Sequence, residues 1–152
     1  MIGMPFEFRL ERIRKIAESE KDHLESQYRE ACSRLEDVGY RLIDLFKQKE
    51  ATQTELEGRM KRSITIDSMK LILFDVEKMD RVIEKLSIRY HQEKRRVEML
   101  REQLKEKNIE VKKYDHVKEK QWKNYRGELK KLEMDRMDEI AAVRAASKMR
   151  RG

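Results

Sequence analysis

The chain has 152 residues, 44% of them charged and 38% apolar, with a formal net charge of +7 and a mean hydropathy of −0.95. A domain of this length ordinarily carries about 25% charged and roughly 45 to 50% apolar residues, so a thick hydrophobic core is excluded. Leu, Ile, Val and Phe make up 23% of the sequence, just above the roughly 20% at which disorder becomes the better expectation, and Ala, Glu, Lys, Leu and Arg make up 51%, the composition of long helices and coiled coils.

Punctuation agrees with helix. Pro5 is the only proline, and the glycines are Gly3, Gly39, Gly58, Gly127 and Gly152. Nothing inside the chain forbids a helix, and the turn residues that sheets need at short spacing are missing. Met1 to Leu10 carries Glu7 and Arg9 where a secretory leader would need an apolar run, and the longest apolar run, Leu71 to Phe74, is far too short to span a bilayer. The single cysteine, Cys32, cannot close an internal disulfide. A soluble, cytoplasmic, all-α protein is expected.

The first helix is expected over about residues 6–58. Its apolar residues step through Leu10, Ile13, Ala17, Leu24, Tyr28, Ala31, Leu35, Val38, Leu42, Leu45 and Leu56, mostly by three and four, which is the repeat of a coiled-coil seam. The steps around Leu24 and Tyr28 imply one slip of register. Acid-to-base pairs four residues apart, such as Glu11/Lys15, Glu30/Arg34 and Glu55/Arg59, support a solvated helical face.

A bend is expected over about 59–65, with Gly58 stopping the first helix and Thr65 capping the second, which Asp67 favours through the helix dipole. The second helix is expected over about 66–148, through Met69, Leu73, Val76, Ile83, Leu86, Tyr90, Val97, Leu100, Leu104, Val111 and Tyr114. A short linker makes the helices antiparallel neighbours. The fold class is therefore a long antiparallel two-helix coiled-coil hairpin in a single domain. Folding about residue 62 brings position 8 opposite 116 or so, and residues 118–148 are expected to overhang as an unpaired C-terminal extension still bearing Leu129, Leu132, Met137 and Ile140.

Charge is unevenly placed. Residues 1–62 are neutral, with 13 basic and 13 acidic side chains, while residues 105–152 hold 15 basic against 9 acidic. Lys112, Lys113, Lys118, Lys120 and Lys123 lie near Tyr114, Trp122 and Tyr125, a mixture that suits nucleic acid. Glu106, Glu110, Asp115 and Glu119 are interleaved through the same stretch and would repel phosphates, so no nucleic-acid partner is expected.

No phosphate loop and no Cys/His cluster with metal spacing is present, so no catalytic residue, no cofactor and no metal are expected. His23, His91 and His116 are far apart and read as surface or seam residues, and Cys32 as an inert thiol beside the seam. Two features exceed a plain hairpin. Leu71-Ile72-Leu73-Phe74 points apolar side chains all round the helix, which a single seam cannot cover; a local third contact and an exposed docking patch both explain it. The nine methionines suit either gap-filling or repacking against a partner.

Three segments resemble the flagellar export protein FliJ family of bacteria, in its Gram-positive form. Phe6-Glu7-Phe8-Arg9-Leu10-Glu11-Arg12 is similar to that family's opening, the stretch from Glu106 to Trp122 to its middle, and Leu132-Glu133-Met134-Asp135-Arg136-Met137-Asp138-Glu139-Ile140-Ala141 to its closing segment. The resemblance implies a non-catalytic cytoplasmic component of the type III protein export apparatus, peripheral to the cell membrane at the flagellar base and needed for flagellum assembly and motility. It implies insertion into the hexameric export ATPase, contact with the cytoplasmic part of the export gate, and escort of export chaperones. Carried over residue by residue, the ATPase-binding set is Phe8, Leu10, Arg12, Met134, Met137, Asp138, Ile140 and Arg144. Near the bend the sequence departs from the family pattern, which leaves Met69, Leu73, Phe74 and Val76 as export-gate candidates. A homodimerising structural coiled coil and the related stalk of a virulence-type secretion system are the alternatives.

Overall fold

The computed structural model describes residues 8–151, leaving Phe6 and Glu7 of the opening segment outside. Helix α1 spans Glu11–Arg62 and helix α2 spans Ile66–Arg151. The two pack against each other as a helical hairpin, with no strand among the described residues. They form two compact units. One takes α1 up to Lys21 with α2 from Lys107 onward, and the other is Asp22–Glu106, which contains the bend.

The bend is built as local chemistry requires. The Thr65 hydroxyl oxygen accepts from the Ser68 backbone N–H at 3.2 Å and its O–H donates to the Ser68 hydroxyl at 2.8 Å. Asp67 occupies the first turn of α2, where a carboxylate meets the positive end of the dipole. Helix α1, however, passes through Gly58 and ends at Arg62, its last turn closed by the Ser63 N–H donating to the Arg59 carbonyl at 3.0 Å. Arg59, Lys61 and Arg62 sit in that last turn and stabilise its exposed carbonyls, so the glycine is not used as a stop. The turn at residues 8–10 precedes α1, with the Glu11 N–H donating to the Phe8 carbonyl.

In the bend-containing unit the seam of α1 runs through the buried or half-buried Leu24, Tyr28, Ala31, Leu35, Val38, Leu42 and Leu45, an unbroken alternation of four and three. Helix α2 answers with Ile83, Leu86, Tyr90, Glu93, Val97, Leu100 and Leu104, again by three and four. Ala31 is fully buried and Val38 is 2% exposed. Small side chains at alternate seam positions let two backbones approach closely, so there is little space to enlarge them. Cross-helix charges keep the register: Arg34 lies 3.7 Å from Glu93 and Lys49 lies 2.6 Å from Asp80.

In the other unit the seam is more polar. Leu10, Arg14, Ala17 and Lys21 face inward on α1, and Lys107, Val111, Tyr114 and Lys118 on α2. Arg14 takes the place expected for Ile13, whose side chain is 46% exposed against 18% for the arginine. With Arg14 and Lys21 in the seam, the steps from Leu10 to Leu24 are four, three, four and three. The expected slip of register disappears, because it came from reading only apolar residues as seam.

Two substitutions test this packing. Ala31→Leu should destabilise the chain by about 1 to 3 kcal/mol by overpacking, while Gly58→Ala should stabilise it by about 0.5 to 1 kcal/mol, because the added Cβ meets nothing within 4 Å. Urea titration followed by far-ultraviolet circular dichroism reads both, and a neutral Ala31→Leu would refute the close seam.

Candidate interaction surfaces

The charges in the first unit are arranged across the seam. The Arg14 guanidinium forks onto Glu11 at 2.7 and 3.1 Å and also donates to Glu18 and Asp115, each at 3.2 Å. Glu11 accepts a second cation, the Lys118 ammonium, at 3.0 Å. The Arg14 hydrogen bond and then that of Lys118 hold the Glu11 carboxyl down to about 2 from its ordinary 4.5. Arg14 is in turn held above the usual arginine range, chiefly by Glu11. Lys107 donates to Glu20 at 2.5 Å and pairs with Glu110 at 2.9 Å, and these two, in that order, raise its ammonium above the usual lysine range. Glu11 thus chooses Arg14 and Lys118 rather than the expected Lys15, because a forked arginine and a cross-helix lysine can share one carboxylate.

Glu11 faces Lys118, Arg14 faces Asp115 and Glu20 faces Lys107. Phe8 therefore comes level with the turn near residue 120 rather than 116. The three-residue bend is centred on Ile64 instead of on residue 62, which shifts every partner. Phe8 is buried at 7% exposure and Leu10 is half-buried, so both seat the start of α1. Arg12 is exposed, as are Met134, Met137, Asp138, Ile140 and Arg144.

From residue 130 to residue 150 every side chain is exposed, yet Leu132, Met134, Met137, Ile140, Val143 and Met149 are among them. Met137, Ile140, Ala141, Arg144, Ala145 and Lys148 line one shallow groove along the helix, being spaced by three and four. Asp138 falls outside that lining, and Phe8, Leu10 and Arg12 belong to a level of α2 roughly 20 Å before Met134 at 1.5 Å per residue. The structure brings Met137, Ile140 and Arg144 together, leaves Met134 and Asp138 outside their groove, and keeps the N-terminal ones apart from them. Ala141 and Ala145 had no periodic signal of their own in the sequence, since alanine is as common on a solvated helix face as in a groove.

Around the bend, Met69 and Val76 are half-buried and continue the seam through Ile72, whereas Leu73 and Phe74 point to solvent. The Lys78 ammonium lies 4.6 Å above the Phe74 ring, a cation–π contact that leaves the ring 48% exposed. Leu71 and Ile66 are also exposed, so the four-residue apolar run is largely uncovered, and Leu71 belongs with Leu73 and Phe74 as a surface feature. The same unit has a groove lined by Leu35, Gly39, Tyr40, Ile43 and Tyr90. Cys32 is half-buried, and its thiol raises the Tyr28 hydroxyl through a hydrogen bond. No group of His, Cys, Asp and Glu able to hold a metal occurs among the described residues, and no described helix is long and apolar enough to cross a membrane.

Glu110 and Asp115, interleaved with the α2 lysines, turn away from them, while Glu119 stays on their face. Glu110 turns to Lys107, Asp115 crosses to Arg14 at 3.2 Å, and Glu119 pairs along the helix with Lys123 at 3.4 Å. The Trp122 and Tyr125 rings stack on each other at 5.8 Å between centroids.

The chain is a helical hairpin with charged outer faces and bare apolar strips at the bend and along residues 130–150. The family model described as "Flagellar FliJ protein" matches residues 6–150. A "Flagellar FliJ protein" of Bacillus subtilis (strain 168) is 33% identical over 144 residues, covering 91% of this chain and 94% of that protein. No solved structure matches significantly. The chain belongs to the FliJ family of flagellar proteins.

The charged seam has a signature in pH and salt. Glu11 is depressed, so its contribution is complete above about 4.5 and is lost as pH falls toward about 2. Lys107 is raised, so its contribution is complete below the ordinary lysine value of 10.5 and is lost only above it. Amide exchange of residues 11–21, corrected for intrinsic rates, should show flat protection from about pH 5 to about 10 and a loss below, and should weaken in molar salt more than that of residues 24–45. A loss beginning between pH 7 and 5, or equal salt effects on both stretches, would contradict this arrangement.

Proposed function

We propose that the protein is a non-catalytic cytoplasmic component of the flagellar type III export apparatus that links the export ATPase to the export gate and escorts export chaperones. Family membership supports the flagellar setting. The observation that carries the coupling role is the stretch 130–150, exposed throughout while bearing Leu132, Met134, Met137, Ile140 and Val143. An isolated amphipathic helix is marginal in water, and its apolar side chains are stabilised only against another protein. A single α-helix is about 10 to 12 Å across with its side chains, which suits entry into the centre of a hexameric ring.

In this reading Met134, Met137, Ile140 and Arg144 touch the ATPase, with Asp138 at the edge of the contact. Phe8 and Leu10 act indirectly by seating α1 on α2, and Arg12 stands free on the surface beside them. The exposed Leu73 and Phe74 are the gate-contacting pair, and the half-buried Met69 and Val76 hold them in place from the seam. Attachment at the cytoplasmic face of the membrane follows from the gate contact, without insertion.

Removing residues 130–152 should abolish stimulation of the purified export ATPase while leaving the circular dichroism expected for the remaining helices. Full stimulation by the truncated chain would overturn the assignment. Leu73→Ala with Phe74→Ala should weaken binding to the cytoplasmic part of the gate by about tenfold or more, each lost anchor costing about 1 to 2 kcal/mol, and should leave ATPase binding unchanged. Unaltered gate binding would remove these two residues from the contact.

A further inference from the structure

The outer face of α2 between residues 109 and 131 carries Lys112, Lys113, Lys120, Lys123, Lys130 and Lys131. Their offsets of one, eight, eleven, eighteen and nineteen residues from Lys112 return to the same side of a helix with 3.6 residues per turn. Val111, Tyr114 and Lys118, the inward residues of this unit, lie on the opposite side. All six lysines are exposed, and only Lys123 among them has an ion pair, the one with Glu119 along the helix. Of the other acids in the segment, Glu110 and Asp115 are held by Lys107 and Arg14, and Glu128 lies about a quarter-turn away by helical spacing. Glu119 lies on the same side, in a groove with His116, Lys120 and Lys123, and offsets one of the six charges, so the stripe is a net positive run roughly 29 Å long at 1.5 Å per residue.

We propose that this stripe adsorbs the protein directly to an anionic phospholipid surface, independently of any protein partner. Three observations favour lipid over other anions. The stripe is built of six lysines, flexible point charges, with a single exposed arginine, Arg126, at its edge, whereas docking onto a fixed carboxylate or phosphate favours the planar fork of arginine. The stripe carries no aromatic anchor of the kind that dominates protein interfaces or stacks on bases: Trp122 and Tyr125 stack on each other and are turned away from it by helical spacing. Ile109 and Val117, both exposed, line the lysine and histidine groove on this face and supply short aliphatic groups that can rest among headgroups without inserting. Mobile anionic headgroups can gather under each lysine, so no matching shape is needed, and each lysine near such a surface strengthens binding about fivefold.

The full chain should sediment with vesicles of phosphatidylcholine containing phosphatidylglycerol, should not sediment with pure phosphatidylcholine, and should be released by salt. Lys112→Gln, Lys113→Gln and Lys120→Gln together should weaken binding about a hundredfold at low salt. Lys47→Gln, Lys85→Gln and Lys94→Gln, three exposed lysines elsewhere, change the net charge equally and should weaken it only a few-fold. Circular dichroism checks that both triple variants remain helical. The proposal is overturned if the full chain ignores phosphatidylglycerol at low salt, if both triple variants lose equally, or if polyglutamate or duplex DNA binds the stripe more tightly than the vesicles do. Since the vesicles contain no protein, failure here leaves the ATPase-coupling reading standing.

Discussion

Two helices that pair share only one seam, and every other face of each must be satisfied by water or by another molecule. That constraint sets the pattern throughout. In the bend-containing unit the seam is apolar and tight, with Ala31 and Val38 admitting the opposite helix and Leu42 and Leu100 filling beside them. Where Arg14, Lys21, Lys107 and Lys118 hold seam positions, burial of Ala17 and Val111 is supplemented by ion pairs among Glu11, Arg14, Asp115, Glu20, Lys107 and Lys118. Charge here contributes little energy per pair while fixing which residues face one another, since a shifted register would leave like charges opposed.

Much of this was legible in the sequence for a simple reason: the three-four alternation is a direct geometric consequence of helical pairing. The two helices and the Thr65 cap could be read from spacing and residue type alone, whereas the Leu71 to Phe74 run allowed both a local third contact and an exposed patch until the structure showed it largely uncovered. The errors share a cause. Ile13 and Leu73 looked like seam because they are apolar, yet Arg14 and Ile72 occupy it. A long side chain can bury its stem in a seam and carry its charge to the edge, so hydrophobicity alone misses Arg14, and within the all-apolar run Leu71 to Phe74 it cannot choose between neighbours. Gly58 looked like a stop because glycine permits one, but permission does not end a helix whose last turn still closes and whose final residues are basic.

The candidate surfaces were legible to a lesser degree, because a helix distributes neighbours in sequence over opposite faces. The acids among the α2 lysines appeared to cancel them, whereas Glu110 and Asp115 turn to Lys107 and Arg14 and leave Lys112, Lys113 and Lys120 outside. The same logic separates the residues that resemblance grouped together. Phe8 and Leu10 are packing residues, while Met137, Ile140 and Arg144 line one open groove. Only position in three dimensions distinguishes a residue that builds the seam from one that offers itself to a partner.

In the proposed function the exposed helical stretch 130–150 engages the export ATPase. Hydrogen exchange of the full chain, followed peptide by peptide with and without the purified ATPase hexamer, tests it most directly. Slow exchange should appear over residues 130–150 on addition of the ATPase, with the seam residues 24–45 unchanged. Protection gained elsewhere, with 130–150 exchanging as fast as before, would contradict it.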